Sequence, residues 1–464
     1  MQKLSLFRGL VFFGFCIGIL HLDPAFAAKK SASKKSAKNS ACAKLAAINV
    51  NNLNSVSRNA GTSGSKCTMP KPSPEEKIHI LIQQAICRKD ISDAAEVVVG
   101  DDQGVWLNYK SLPNDNRLYD LASLTKPIAT ATAVLKLVDS GRLKLNEQIG
   151  AIFSRFGMKA FNRFNITVDD LLRHRSGLHE LNGNYLYAIA GNSSRSRAAW
   201  TGLERIASHS NPRTKKLPIY RDSNYFILSE IVRLVSGTGF EPFVSSNILA
   251  PLEMKRTRFA GPREVADPLA RTLGGVSGSA GLLSTGTDLG KFAQMFLNNG
   301  KTPNGGRILS NMSLNDMKTS YYTDEQRRFI DTQNAGSIEF AKTEMHAAGF
   351  DVNPSILRGS GFSMRSFGHT GSTGTSMLID PDNKVYVILL ARNRRDEDPP
   401  VRMNALRKAI ATEGMALVRA RRALEECVQA QAQAQAAQNS SKRLKTSPAN
   451  WLQDHFRFRV FRAQ

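Results

Sequence analysis

Ser123-Leu124-Thr125-Lys126 sets a hydroxyl and an amine three residues apart, the spacing at which two side chains share one face of a helix. The motif sits where an irregular segment (DNRLYDLA) enters a helix predicted over 124–140. There Ser123 Oγ and Lys126 Nζ can meet, and the helix N-terminus favours a serine oxyanion or a developing acyl oxyanion. A buried lysine near other positive potential can lose its proton and serve as a base, which is the chemistry of nucleophilic acyl transfer. Pro127 is compatible with this place, because first-turn N–H groups have no intrahelical partner. Two further clusters join the pair. Tyr220-Arg221-Asp222 stands just before a helix predicted from about Asn224, and His369-Thr370-Gly371 just before a strand predicted over Thr375–Asp380.

The elements that must hold these groups can be read from periodicity. Ile78, Leu81, Ile82 and Ala85 form one apolar helical stripe. AAEVVVGDDQGVWLNY reads as a hairpin about the turn Asp101-Asp102-Gln103-Gly104, and TSMLID with KVYVILLA as a second hairpin about Pro381-Asp382-Asn383. A helix follows Pro400. Between the hairpins the patterns are helical: IATATAVLKLVDSG and YFILSEIVRLVSG each close on a glycine, and Thr167 with Asp170 forms a start signal before LLRH. The expected fold is therefore α/β: one antiparallel sheet built from both chain ends, flanked by helices, with an inserted mainly helical region. No internal repeat, GxGxxG or P-loop is present, so nucleotide binding has no support.

Ser-x-x-Lys, then Tyr-x-Asp, then His-Thr-Gly, separated by 97 and 149 residues, resembles the serine β-lactamase and penicillin-binding protein superfamily, in its class C-like branch. The blocks DLASLTKPIA, TVDDLLRHRSGL, YRDSNYFILSEIV, GGVSGSAGLLSTGTDLGKFAQM and FGHTGSTGTSMLIDP carry the resemblance, which covers about residues 90–395. It implies a β-lactamase/transpeptidase-like fold and an acyl-enzyme mechanism that uses no cofactor or metal. Ser123 would be the nucleophile, Lys126 the first general base, and Tyr220 the group passing a proton between Ser123, leaving group and water. Asp222 would orient Lys126 or the substrate amide. The Ser123 and Ser372 N–H groups would form the oxyanion hole, Gly371 would keep the strand edge open, and Thr370 would bind substrate carboxylate. Two positions depart from the family pattern: His369 stands where Lys is classical, and Asp222 where Asn is. A neutral imidazole attracts a carboxylate less than an ammonium does. D-amino-acid amides of peptidoglycan are the implied substrate class, with a carboxylesterase or weak β-lactamase as the enzyme alternative and a silent envelope-binding protein as the non-enzyme one. Other residues read as structural: His174 as a helix-end histidine, Arg173 and Arg175 as shaping the same turn, Trp106 as core, and the Gly274, Gly275 and Gly278 cluster as tight turns near the cleft.

The 464 residues carry 63 Lys and Arg against 39 Asp and Glu, a net charge of +24. Much of this lies at the ends: Lys29 to Lys71 holds nine basic residues and no acidic one. Residues 28–74 read as a basic linker and 431–464 as a low-complexity basic tail, leaving 75–430 as the catalytic body. Residues 1–27 read as a secretory signal, with Lys3 and Arg8, the 11-residue apolar run Leu10–Leu20 and a cut after Ala27. That run is too short for a stable membrane span, which takes about 20 apolar residues. An exported chain without an RRM, KH or zinc-finger signature has no nucleic-acid partner to expect; an anionic envelope polymer would suit the tails. Export leaves Cys42, Cys67, Cys87 and Cys427, an even number in an oxidising compartment, with three possible connectivities. The family resemblance implies that the helices bearing Cys87 and Cys427 pack side by side, so these two are expected to pair and Cys42 to be left with Cys67.

Overall fold

The computed structural model describes residues 42–45, 48 and 67–445, apart from 191–192, 214–215, 336–343 and 394–399. The chain divides into two units, residues 1–48 and 49–464. The expected signal sequence lies outside the described residues, as do most of the linker and the last 19 residues of the tail. In the first unit, residues 42–45 are helical; everything below belongs to the second.

Seven antiparallel strands form the main sheet in the order β2-β1-β10-β9-β8-β7-β6. The N-terminal hairpin gives β1 (Ile91–Asp101) and β2 (Val105–Lys110). The C-terminal one gives β9 (Ser376–Asp380) and β10 (Val385–Asn393). β1 lies against β10 with Val98 opposite Ile388, so strands from the two chain ends pair within one sheet, as the sequence pattern predicts. β8 (Phe367–Thr370) pairs with β9, and two short strands, β7 (Asp351–Val352) and β6 (Met345–His346), complete the far edge. A small second sheet orders β3 (Tyr119–Asp120), β5 (Leu282–Ser284) and β4 (Arg258–Phe259).

Alternation along β1 divides the core. Val97 and Val99 face a layer made by the first helix, Pro74–Cys87, and the last, Pro400–Lys445, with Ile78, Ile82, Met403 and Ile410. Val98 faces the inserted helical region, with Leu289, Phe292 and Tyr386. Because side chains alternate across a strand, one run of valines can serve both layers. The predicted start signals form: Thr167 Oγ1 accepts the Asp170 N–H, and the Asp170 carboxylate accepts the Thr167 N–H. The last helix continues through the Gln/Ala stretch to Lys445, with residues 431–440 exposed.

The disulfide expectation is corrected. Cys427 is bonded to Cys67, with Cα atoms 5.9 Å apart, and not to Cys87. Cys67 is therefore not paired with Cys42; Cys42 and Cys87 are each disulfide-bonded as well. Antiparallel packing of the terminal helices is the reason. Glu75 meets Arg421 at 3.6 Å near the start of the first helix, and Asp90, just past its end, meets Arg402 at 3.4 Å. Cys87 thus lies beside the beginning of the last helix. At 1.5 Å per residue, roughly 37 Å of helix separates Arg402 from Cys427. Cys427 instead projects past the start of the first helix, where the chain entering at Cys67 meets it.

Candidate active site

The predicted helix 124–140 is three pieces. A 3₁₀ turn, Ala122–Leu124, leads into a π-helical segment, Lys126–Ala131, and then an α-helix, Thr132–Asp139. Ala122, immediately before the serine, has φ +46, a left-handed conformation that an alanine adopts only under constraint. The Ala122 N–H donates to Asp120 Oδ1 at 3.0 Å, which holds the turn. Widened helical turns of this kind are frequent at functional sites, and this one sets Lys126 beneath Ser123.

Lys126 is completely buried, and its ammonium is surrounded by acceptors. Nζ donates to Ser123 Oγ at 2.9 Å and to the Ser279 carbonyl at 3.0 Å, and it forms an ion pair with Asp222 Oδ1 at 2.6 Å. Burial pulls the lysine pKa down, but Asp222 and Tyr220 more than offset it, so Lys126 is held above its ordinary value. Tyr220 is 40% exposed as a residue, and Lys126 Nζ lies 4.9 Å from the centre of its ring. Burial pushes that phenol up to about 12, with Lys126 opposing and Asp222 adding to the rise. Asp222 thus favours the ammonium form of Lys126 at rest, and burial favours the neutral phenol of Tyr220. Asp222 places a carboxylate at the position where the family pattern has an uncharged Asn.

Tyr220 and Asp222 come from the start of the helix Asp222–Ser236, two residues earlier than predicted. His369 and Thr370 end β8, and Gly371 opens the turn into β9, the strand expected to follow the triplet. The turn after it is fastened to the chain just ahead of Ser123: Thr373 Oγ1 donates to the Asp120 carbonyl at 2.6 Å and Thr375 Oγ1 to the Leu121 carbonyl at 3.1 Å. A side chain at Gly371 would meet the Leu121 carbonyl at 2.4 Å, so only glycine permits this approach. Ser372 is exposed on this turn and Thr370 half-buried above it. From the far side, buried Arg407 of the last helix donates to the Gly371 and Thr375 carbonyls at 2.9 and 3.1 Å. Burial draws its guanidinium down to about 10, still charged at neutral pH.

His369 is buried, 6.0 Å from Tyr220 between ring centroids, and its Nδ1 donates to the Thr370 carbonyl at 2.7 Å. Burial lowers its pKa, Lys126 and His346 lower it further, and Asp351 pulls the other way. The imidazole is therefore neutral at pH 7. Sequence reasoning missed three members of the site. Ser279 contributes only a backbone carbonyl, which no residue type announces. Buried His346 and Asp351 bond to each other at 2.7 Å beside Tyr220 and His369, and carry no motif. Gly278, by contrast, was visible: a Cβ there would meet the Tyr225 carbonyl at 2.0 Å, and its own carbonyl accepts from Thr130 Oγ1 at 2.7 Å. Among the described residues no group of acids, histidines or cysteines could hold a metal ion, and no helix is long and apolar enough to cross a membrane.

The family model described as Beta-lactamase matches residues 80–412. The chain belongs to the beta-lactamase family. Among curated relatives, a Salmonella gallinarum protein provisionally named a D-alanyl-D-alanine carboxypeptidase is 28% identical over 322 residues, 59% of this chain and 69% of that one. Two solved structures share the fold. The octameric penicillin-binding protein homologue from Pyrococcus abyssi has a TM-score of 0.55 at 21% identity, covering 73% of this chain and 78% of that one. EstCE1, a hydrolase with promiscuous acyltransferase activity, has a TM-score of 0.56 at 15% identity, covering 73% and 99%. The mixed α/β architecture with its antiparallel sheet is that of this family.

Beside the beta-lactamase site, Glu344 accepts from the Ser355 hydroxyl at 2.7 Å and the Ser355 N–H at 2.9 Å. Burial, reinforced by Asp351, raises its pKa from 4.5 to about 7. A carboxyl that binds its proton more tightly folded than unfolded adds stability below the unfolded pKa and loses it as pH rises to the folded one. Stability should therefore fall between about pH 4.5 and 7 by on the order of 2–3 kcal/mol from this group. Denaturant melts across that window should show the slope, and Glu344→Gln should flatten it.

Proposed function

We propose that this chain is an exported serine hydrolase that acts through an acyl-enzyme on Ser123, on D-amino-acid amides of peptidoglycan in the manner of a DD-carboxypeptidase. The observation that carries this reading is the buried Lys126 ammonium bonded to Ser123 Oγ and paired with Asp222. A module that only binds envelope material has no need of a lysine desolvated beneath a half-buried serine. The relatives named as carboxypeptidases support the substrate class.

In the proposed reaction the Ser123 Oγ–carbonyl bond forms, the amide C–N bond breaks, and the serine proton reaches the leaving amine through Tyr220 and Lys126. Water then cleaves the ester and restores Ser123. The Ser123 and Ser372 N–H groups would hold the oxyanion, while Thr370 and the Gly371 edge would receive the substrate backbone. At rest Lys126 donates to Ser123, so it cannot accept the serine proton until the Lys126–Tyr220 pair has lost one. The basic linker and tail would place the enzyme against anionic envelope polymer.

Neutral His369 favours a second reading, a carboxylesterase, because it supplies no positive charge for a substrate carboxylate. Side-by-side turnover of a D-Ala-D-Ala peptide, a p-nitrophenyl ester and a cephalosporin separates these readings. The ester should exceed the cephalosporin, and His369→Lys should move the balance toward the two carboxylate-bearing substrates by about tenfold, the size of a one-unit change in charge pairing. A wild-type preference for cephalosporin would contradict the role given to His369.

A further inference from the structure

Tyr220 has no regular element of its own; it lies in irregular chain that runs into the helix beginning at Asp222. What fixes it is His174. This residue ends the turn after the helix Val168–Leu172, is buried, and has φ +55. Its carbonyl accepts the Ile219 N–H at 3.0 Å, and its Nδ1 accepts the Arg221 N–H at 3.1 Å. The backbone N–H groups of both residues next to Tyr220 thus rest on one residue. The His174 ring also lies against the tyrosine ring, with centroids 4.4 Å apart and planes inclined by 31°.

An amide N–H can only donate, so Nδ1 is bare and the ring proton is on Nε2. Asn224 Nδ2 stands 3.2 Å from the same Nδ1, and the Asn224 side-chain oxygen accepts from the Ser176 hydroxyl. Tyr225 and His346 close the ring's other sides, each at 5.0 Å. Burial, with His346, Lys126 and His369 nearby, keeps the imidazole uncharged. A protonated ring would lose the acceptor that the Arg221 N–H requires.

We infer that His174 is a positioning residue for the acylation chemistry: its carbonyl and Nδ1 clamp the two peptide N–H groups that flank Tyr220, fixing the phenol against Ser123 and Lys126. The inference rests on the proposed function of that site. The left-handed backbone and the acceptor together specify the side chain. Asn tolerates φ +55 and offers an uncharged oxygen near the place of Nδ1. Phe keeps the ring contact and loses the acceptor.

The test compares the full chain with His174→Asn, His174→Phe and, should Phe fail to fold, His174→Leu. Thermal melting checks each fold, while p-nitrophenyl ester turnover and the rate of fluorophosphonate labelling of Ser123 read out function. Misplacing a reacting group by about 1 Å costs up to about 100-fold, so His174→Phe should lose tenfold or more in kcat with KM little changed. His174→Asn should stay within about threefold of the parent, because the acceptor is restored. A folded Phe or Leu variant with parental kcat would overturn the inference, as would an Asn variant no better than Phe. Parental turnover that persists in Ser123→Ala would instead overturn the proposed function, and this inference with it.

Discussion

Replacing Lys126 with methionine should lower acylation by on the order of 10²–10⁴-fold, the range that positioned proton transfer contributes. Methionine fills a similar volume in the fully buried site but offers Ser123 Oγ no donor and Asp222 no counter-charge. Arginine should not rescue, since its planar fork cannot take the place of a compact ammonium between Ser123, Ser279 and Asp222. Pre-steady-state ester hydrolysis reads the loss directly. Asp222→Asn separates charge from position at the same locus. With the carboxylate gone, the chief influence raising Lys126 disappears. A raised lysine pKa means that the reactive, deprotonated pair is reached only as pH climbs, so the parental kcat/KM should still be rising above neutrality. The Asn variant should bring that limb to lower pH by about a unit or more, as expected for removal of an opposite charge within contact distance. Unchanged pH profiles would mean that Asp222 does not govern Lys126.

The clusters of this site differ in how far local sequence reveals them. Ser123 and Lys126 are three residues apart, so a local rule predicts their meeting, and their bond is present. The sheet was legible because β1 and β10 both carry valine-rich apolar runs next to turn residues. The π-helical segment was not: Pro127 and the threonines around it are compatible with an ordinary helix, and the wide turn depends on Thr130 reaching Gly278 across the fold. Ser279, His346 and Arg407 reach the site from 153, 220 and 281 residues beyond Lys126 in the chain, through a carbonyl, a strand-edge histidine and a helix-borne guanidinium. None of them has a spacing that a local period could reveal. The disulfide failed for a related reason. Knowing that two helices pack together does not say which ends adjoin, and the antiparallel direction sends Cys427 to Cys67. Asp222 was visible as a departure, but its consequence, a Lys126 held above its ordinary pKa, required the 2.6 Å contact.

Ser123→Ala should have the largest effect of all, because it removes the hydroxyl that the buried Lys126 Nζ holds at 2.9 Å. Alanine is smaller by one oxygen, and Ser123 is only half-buried, so the fold and its melting temperature should be nearly unchanged. The decisive measurement is intact-mass and peptide-mass analysis after exposure to a fluorophosphonate and to a labelled penicillin. The account predicts one adduct per chain, mapped to the peptide containing Ser123, and none in Ser123→Ala. An adduct that persists in the alanine variant, or that maps to another residue, would contradict the assignment of Ser123 as the nucleophile.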